Sequence, residues 1–264
     1  MSAIRAPAVA GTFYPADPGR LRTMVEGFLA AAEAPARSRP KAVIAPHAGY
    51  VYSGPVAGAA FATIGTDVRQ IRRVVVIGPA HFVAMRGIAV PTCDAFRTPL
   101  GEVPLERTAL EALEDLPSVR RADASHAPEH ALEVELPFFQ VALGEFALVP
   151  LLVGEARPAA VAEVLARVWG GPETLIVISS DLSHHHPYRT AQRRDEATAR
   201  AIERLDDTAL GPDAACGHLP IAGLLLEARR RGLSAVRLDL RNSGDTAGSR
   251  DSVVGYGAWA FGAD

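Results

Sequence analysis

The sequence predicts an α/β fold, a single domain with a mixed, mostly parallel central sheet flanked by helices on both faces. Three observations carry that reading. Strand-like and helix-like segments alternate along the chain. The runs VVVI (residues 74–77) and LIVI (residues 175–178) are apolar at every position, the mark of strands covered on both faces. No repeat, low-complexity tract or long linker divides the 264 residues, so one domain over 1–264 suffices.

The elements follow in order. AVIAP (42–46) reads as the first buried strand, and SGPVAGAAFATI (53–64) as a helix of small residues that packs closely. RRVVVIGP (72–79) and GIAVP (87–91) are strands, and ERTALEALEDL (106–116) spaces its leucines at the helical period. EHALEVELPFFQVAL (129–143) is amphipathic, with Pro137 set to kink it or end its first part. FALVPLLVG (146–154) is a strand, RPAAVAEVLARVWG (157–170) a helix, and TLIVISS (174–180) a β-branched strand. Helices are expected over 190–205 and 220–232, the second with Pro in its first turn and Gly at its end. SAVRLDLRNS (234–243) and VVGYGAWAF (253–261) close the chain as strands, and PARSRP (35–40) is a surface loop.

Composition narrows the function. With 27 basic and 30 acidic residues the net charge is -3, which points to neither a nucleic-acid nor an anionic-membrane partner. The basic run Arg229–Arg231 sits at a helix end, where cations suit the helix dipole. Two cysteines, Cys93 and Cys216, do not make a disulfide framework. The opening MSAIRAPAVAGTFYP lacks the apolar stretch of a signal peptide, and no apolar run reaches the ~20 residues that span a bilayer. A cytosolic, reduced protein is expected. The sequence holds no G-x-G-x-x-G after a strand, no phosphate-binding G-x-x-x-x-G-K-[ST], no G-x-S-x-G and no C-x-x-C. Dinucleotide, P-loop, nucleophile-elbow and zinc-knuckle readings therefore lack support.

Chemistry gathers at strand ends. His47 follows the first strand in PHAGY, His81 follows VVVI in GPAH, and Asp181 and His184 follow LIVI in SSDLSHHHPY. Ligands of open α/β sheets bind outside the carboxyl ends of the strands, so these residues point to one shared site. Two imidazoles with a carboxylate or thiolate suit a divalent metal. Asp181 has a simpler alternative as a turn cap, and His185 and His186 read as exposed loop imidazoles. Cys216, in AACGHLPI just before a helix, is open to three roles. It is a metal ligand or a nucleophile if the helix N-terminus lowers its pKa, or a small buried hydrophobe. His130 and Glu133 lie one helical turn apart, which makes His130 an acid/base candidate oriented by a carboxylate, or half of a structural pair. His126, Glu135 and His218 carry no assigned role, and Cys93 reads as a core or surface thiol.

Eight segments together resemble the Memo family, called AmmeMemoRadiSam system protein B in bacteria and archaea. They are GTFYPADP, APHAGYVYSGPVAG, VIGPAHF, TPLGEVPLE, EHALEVELPFFQ, ISSDLSHH, CGHLPI and NSGDTAGSRDSVVGYGAW, in order over about residues 7 to 261. The resemblance implies a fold similar to the class III extradiol dioxygenases, which hold non-haem iron with two histidines and a carboxylate. In Memo-like proteins a cysteine joins the two histidines. Carried onto this chain, the ligands are His47, His81 and Cys216, with Asp181 and His184 lining the pocket. Fe(II) is the first expectation for the metal, with copper or zinc as alternatives. The thiolate makes the site softer and more oxidisable. The family name also implies an AMMECR-domain protein and a radical SAM protein as partners. A non-catalytic module binding a peptide or those partners is the alternative to an iron-dependent, dioxygenase-like oxidoreductase acting on an unidentified small molecule.

Overall fold

The computed structural model describes residues 3–33, 39–65 and 70–263, so positions 35–38 of the expected PARSRP loop lie outside the described residues. The first half of the chain gives β1 (Ile4–Arg5), α1 (Pro18–Ala31), β2 (Ala42–Ala45), α2 (Tyr50–Ala62), β3 (Arg73–Pro79), β4 (Ile88–Val90), β5 (Ala95–Thr98), β6 (Gly101–Pro104), α3 (Arg107–Glu111), β7 (Val119–Arg121) and α4 (Asp123–His126). The second half gives α5 (Leu136–Ala142), β8 (Ala147–Val153), α6 (Pro158–Val168), β9 (Thr174–Ser179), β10 (His184–His186), α7 (Tyr188–Glu203), α8 (His218–Arg230), β11 (Ser234–Asn242) and β12 (Val253–Gly262).

The mixed α/β architecture is the one the sequence predicts. The large sheet runs β10-β12-β2-β9-β3-β8-β4-β7, with β11 on β12. Its centre, β2-β9-β3-β8, is wholly parallel. Antiparallel pairing appears on either side, where β12 meets β2 and β4 meets β8. The all-apolar runs are the central strands, and every residue of β2 and β9 is buried. Helices α6 and α8 pack together, with α8 over β3 and β9. Helix α1 packs on α2 and α5, and α2 lies on β2, β11 and β12. The small residues of α2 set that spacing. A Cβ added at Gly58 would stand 2.7 Å from the Phe28 carbonyl oxygen of α1.

Several elements escape periodicity. Helix α1 buries only Leu21 and Val25. It is announced by a cap instead, since the Asp17 carboxylate accepts the Arg20 N–H at 2.8 Å and Pro18 opens the first turn. The second sheet, β1-β5-β6, is built from strands of two to four residues, too short for an alternation to show. The expected helix over 106–116 shortens to α3, and turns follow it.

The segment 129–143 departs furthest from expectation. Only α5 is α-helical, with Pro137 in its first turn, and a 3-10 turn covers Glu133–Glu135. Proline has no N–H and suits a helix start, so the helix begins there. Residues 129–135 instead form a strap across the carboxyl ends of the central strands. Gly78, at the end of β3, makes room for it. A Cβ there would stand 3.1 Å from Leu132, 3.3 Å from Ala131 and 3.4 Å from Ser179.

Candidate metal centre

Three adjacent parallel strands, β2, β9 and β3, end side by side and release His47, Asp181 and His81 just beyond their last residues. The turn that carries Cys216 into α8 is tied to the same edge. Its Cys216 N–H donates to the Asp181 carbonyl at 3.3 Å and its Gly217 N–H to Ser180 Oγ at 2.9 Å. One ligand atom from each of His47, His81 and Cys216 lies within 4.8 Å of the others. His47 Nε2 is 3.4 Å from Cys216 Sγ. Nitrogen and sulfur ligands sharing one tetrahedral metal stand about 3.6 Å apart, given bonds of roughly 2.1 and 2.3 Å. The residues present therefore fit a metal ion.

Protonation differs among the three donors. Burial, with His81 close by, pushes His47 down to about 3, so its imidazole is neutral, the form that binds metal. Burial pushes the Cys216 thiol up to about 12, and the Asp181 carboxylate adds to the rise. The lowered thiol pKa expected at a helix start does not materialise, because desolvation outweighs one helix dipole. Without metal, Cys216 is a thiol and a poor nucleophile. A cation held between it and the imidazoles would reverse that balance. In metal-free protein at pH 7, iodoacetamide is expected to label Cys216 more slowly than free cysteine. Labelling as fast as free cysteine would restore the nucleophile reading.

The carboxylate that orients an imidazole is Glu129, and not Glu133 as the spacing suggested. Glu129 is buried, and its Oε1 is 2.9 Å from His81 Nδ1 while its Oε2 accepts the His81 N–H at 2.6 Å. The N–H groups of His130 and Ala131 add bonds of 2.9 and 3.0 Å. Burial opposes ionisation, but these donors hold the carboxyl down at about 2. The acceptor fixes the proton on His81 Nδ1 and leaves Nε2 free to face a metal. Glu129→Gln is expected to weaken Fe(II) binding about 10- to 100-fold. An unchanged affinity would remove Glu129 from the site. The clue in the sequence was the carboxylate directly before His130 in EHALEVE.

Glu133 serves a different purpose. Its carboxylate is buried and accepts from Arg5 Nη1 at 2.7 Å, the Ala8 N–H at 2.7 Å, the Val9 N–H at 3.0 Å and the Tyr14 hydroxyl at 2.5 Å. It anchors the segment leading into α1. His130 instead stacks on the His81 ring at 4.8 Å, interplanar angle 20°, and meets His47 edge-on at 5.4 Å. Burial and His47 together lower it to about 4. The structure thus brings His47, His81, Cys216 and His130 into one cluster.

Asp181 is buried, accepts the His47 N–H at 2.9 Å, and is pushed up by burial against the opposing pull of His184. His184, on β10, is exposed and close enough to Asp181 to act on its charge. His185 is exposed with a φ of 58°, and His186 is half-buried. His126 is buried outside the cluster, with Nε2 3.1 Å from the Ala89 carbonyl. His218 Nδ1 lies 3.2 Å from the Ala215 carbonyl. It lines, with Cys216, Met85 and Arg120, a cleft of about 660 Å³. Both cysteines are free, and no helix among the described residues is long and apolar enough to cross a membrane.

Comparison with known sequences gives a consistent result. The profile described as Memo-like protein matches residues 5–260. A "MEMO1 family protein" of Aquifex aeolicus is 35% identical over 96% of this chain and 97% of its own length. One from Saccharolobus solfataricus is 32% identical over 98% of this chain and 99% of its own. A solved structure of an uncharacterized protein from Escherichia coli K12 aligns over 97% of this chain and 99% of its own, with a TM-score of 0.47 and 14% identity.

Proposed function

The chain belongs to the Memo family, and on that premise we propose that it is a metal-dependent oxidoreductase, dioxygenase-like, with Fe(II) as first candidate and copper as second. The observation that carries the reading is the convergence of His47, His81 and Cys216 within 4.8 Å at the ends of adjacent strands. Two imidazoles and a thiolate favour iron, copper or zinc over a hard oxygen-seeking cation. When bound, the metal would supply electron transfer and open coordination positions. The rest of the chemistry belongs to the chain. Glu129 holds the His81 ring, and Asp181 holds the His47 backbone. His130 within the cluster and the exposed His184 near Asp181 would move protons to and from the substrate. The cleft beside Cys216 would admit a small organic molecule.

A binding-module reading draws on a separate observation. Among the described residues, Val51, Tyr52 and Phe82 are the exposed large hydrophobics, and they follow His47 and His81 closely in sequence. Such a rim would suit a peptide or a protein partner of the kind the family name suggests.

Elemental analysis of anaerobically purified protein, followed by oxygen uptake with a panel of catechols and other reductants, tests the proposal. Near-stoichiometric iron or copper and metal-dependent oxygen uptake are expected. Protein that is metal-free and takes up neither ion would sink the oxidoreductase reading and leave the binding module.

A further inference from the structure

Ser179, the last residue of β9, makes three short contacts through one hydroxyl. His47 Nδ1 is at 2.7 Å, the Ala131 carbonyl oxygen at 2.6 Å and Glu135 Oε1 at 2.8 Å. All four residues are buried. A hydroxyl has one hydrogen to give and two lone pairs. The carbonyl can only accept, so the single hydrogen goes to Ala131. The other two contacts must then bring their own hydrogens to the oxygen. Only one assignment gives every contact a proton. His47 donates from Nδ1, and Glu135 donates from Oε1 as a neutral carboxylic acid.

The far side of the Glu135 carboxyl agrees with this. Glu135 Oε2 is buried with no hydrogen-bond partner. That is tolerable for the carbonyl-type oxygen of a neutral acid and poor for half of a carboxylate. Burial, reinforced by Asp181, likewise raises Glu135 well above the usual carboxylate range. Every alternative leaves at least one pair at 2.6 to 2.8 Å, oxygen with oxygen or oxygen with the His47 nitrogen, with no hydrogen between them.

We propose that Glu135 is a neutral positioning residue which, through Ser179, locks His47 with its proton on Nδ1 and its Nε2 lone pair turned toward Cys216. The hydrogen on Nδ1 stands on the hydrogen-bond geometry alone, and the bare Nε2 on the neutrality that burial imposes on the ring. The purpose of this state, presenting a ready donor to a metal, rests on the proposed function. His81 reaches the same state by another route, through Glu129. The two imidazoles are thus pre-set by one charged acceptor and one neutral relay, which limits the negative charge buried behind the site.

The test uses metal-free protein and needs no activity. Selective 15N labelling of histidine reports which ring nitrogen of His47 is protonated, and 13C labelling of glutamate reports whether Glu135 is an acid or a carboxylate near pH 7. Wild type is expected to show Nδ1-protonated His47 and a protonated Glu135. Glu135→Gln, whose amide also donates to Ser179, is expected to keep the His47 pattern. Ser179→Ala is expected to populate the Nε2-protonated form and to weaken Fe(II) binding about 10- to 100-fold, with Ser179→Thr restoring both. A Glu135 carboxylate resonance, or Nε2-protonated His47 in wild type, would overturn the proposal even if no variant folds. Loss of the pattern in Glu135→Gln would also overturn it. The predicted tautomer in a protein that binds no metal would leave the inference standing and remove the metal reading.

Discussion

Replacing Glu133 with alanine is expected to destabilise the protein by about 3–5 kcal/mol, because it leaves the Arg5 guanidinium buried without its counter-charge. The partners are 2.7 Å apart, with side chains 6% and 0% exposed. Three further donors, the N–H groups of Ala8 and Val9 and the Tyr14 hydroxyl, lose their acceptor at the same time. Arg5 would keep only carbonyl acceptors, on His126 and Glu129 among them. Denaturant titration gives the free energy, and a fall in Tm on the order of 10 °C should accompany it. The double variant Arg5→Met with Glu133→Leu should recover most of the loss, since a buried pair is replaced more cheaply than broken. A loss below about 1 kcal/mol in the single variant would mean that the pair is not sealed from water.

The second large effect concerns metal uptake. His47→Ala and Cys216→Ser are each expected to lower Fe(II) affinity by more than the roughly 100-fold that an outer partner can cost. Cys216→Ser is the cleaner variant, because serine nearly preserves the volume and the surroundings. Its Tm in chelator should match wild type. The difference should appear only on adding metal. A ligand at ~100 times its dissociation constant stabilises the native state by about 2.7 kcal/mol. Wild type should show that rise and Cys216→Ser should not. An equal rise in both proteins would place the metal elsewhere, and a low Tm in chelator would make Cys216 a packing residue.

Central strands and the site's location were legible for one physical reason. Parallel strands covered on both faces write continuous apolar runs, and their carboxyl ends are where ligands collect. His47 and His81 announced themselves by following such runs. Residues 129–135 were illegible, because helical spacing is a statement about periodicity and not about partners. At helical spacing Glu129 and Glu133 would share a face with each other and not with Glu135. The three go instead to His81, to the Arg5 segment and to Ser179. Helix α1 went unread, because its apolar face is sparse and only its Asp17-Pro18 start marks it. Strands β1, β5 and β6 are fixed by tertiary pairing alone. The Cys216 thiol shows the same limit. Its helix start is visible in the sequence, but the burial that raises its pKa exists only in the fold.

The wide sequence separation of the three converging donors bears on biogenesis. His47 and Cys216 are 169 positions apart, and they meet only once β2, β9 and the turn into α8 are all in place. Contacts of that span form late, after the cost of closing long loops has been met. A zinc finger gathers its ligands within one short module and folds around the ion. The donors His47, His81 and Cys216 form no such local module, and an ion held by all three needs the assembled sheet. For the metal proposed above, loading through all three donors would then follow folding, and an occupied site would certify that the whole sheet has assembled correctly.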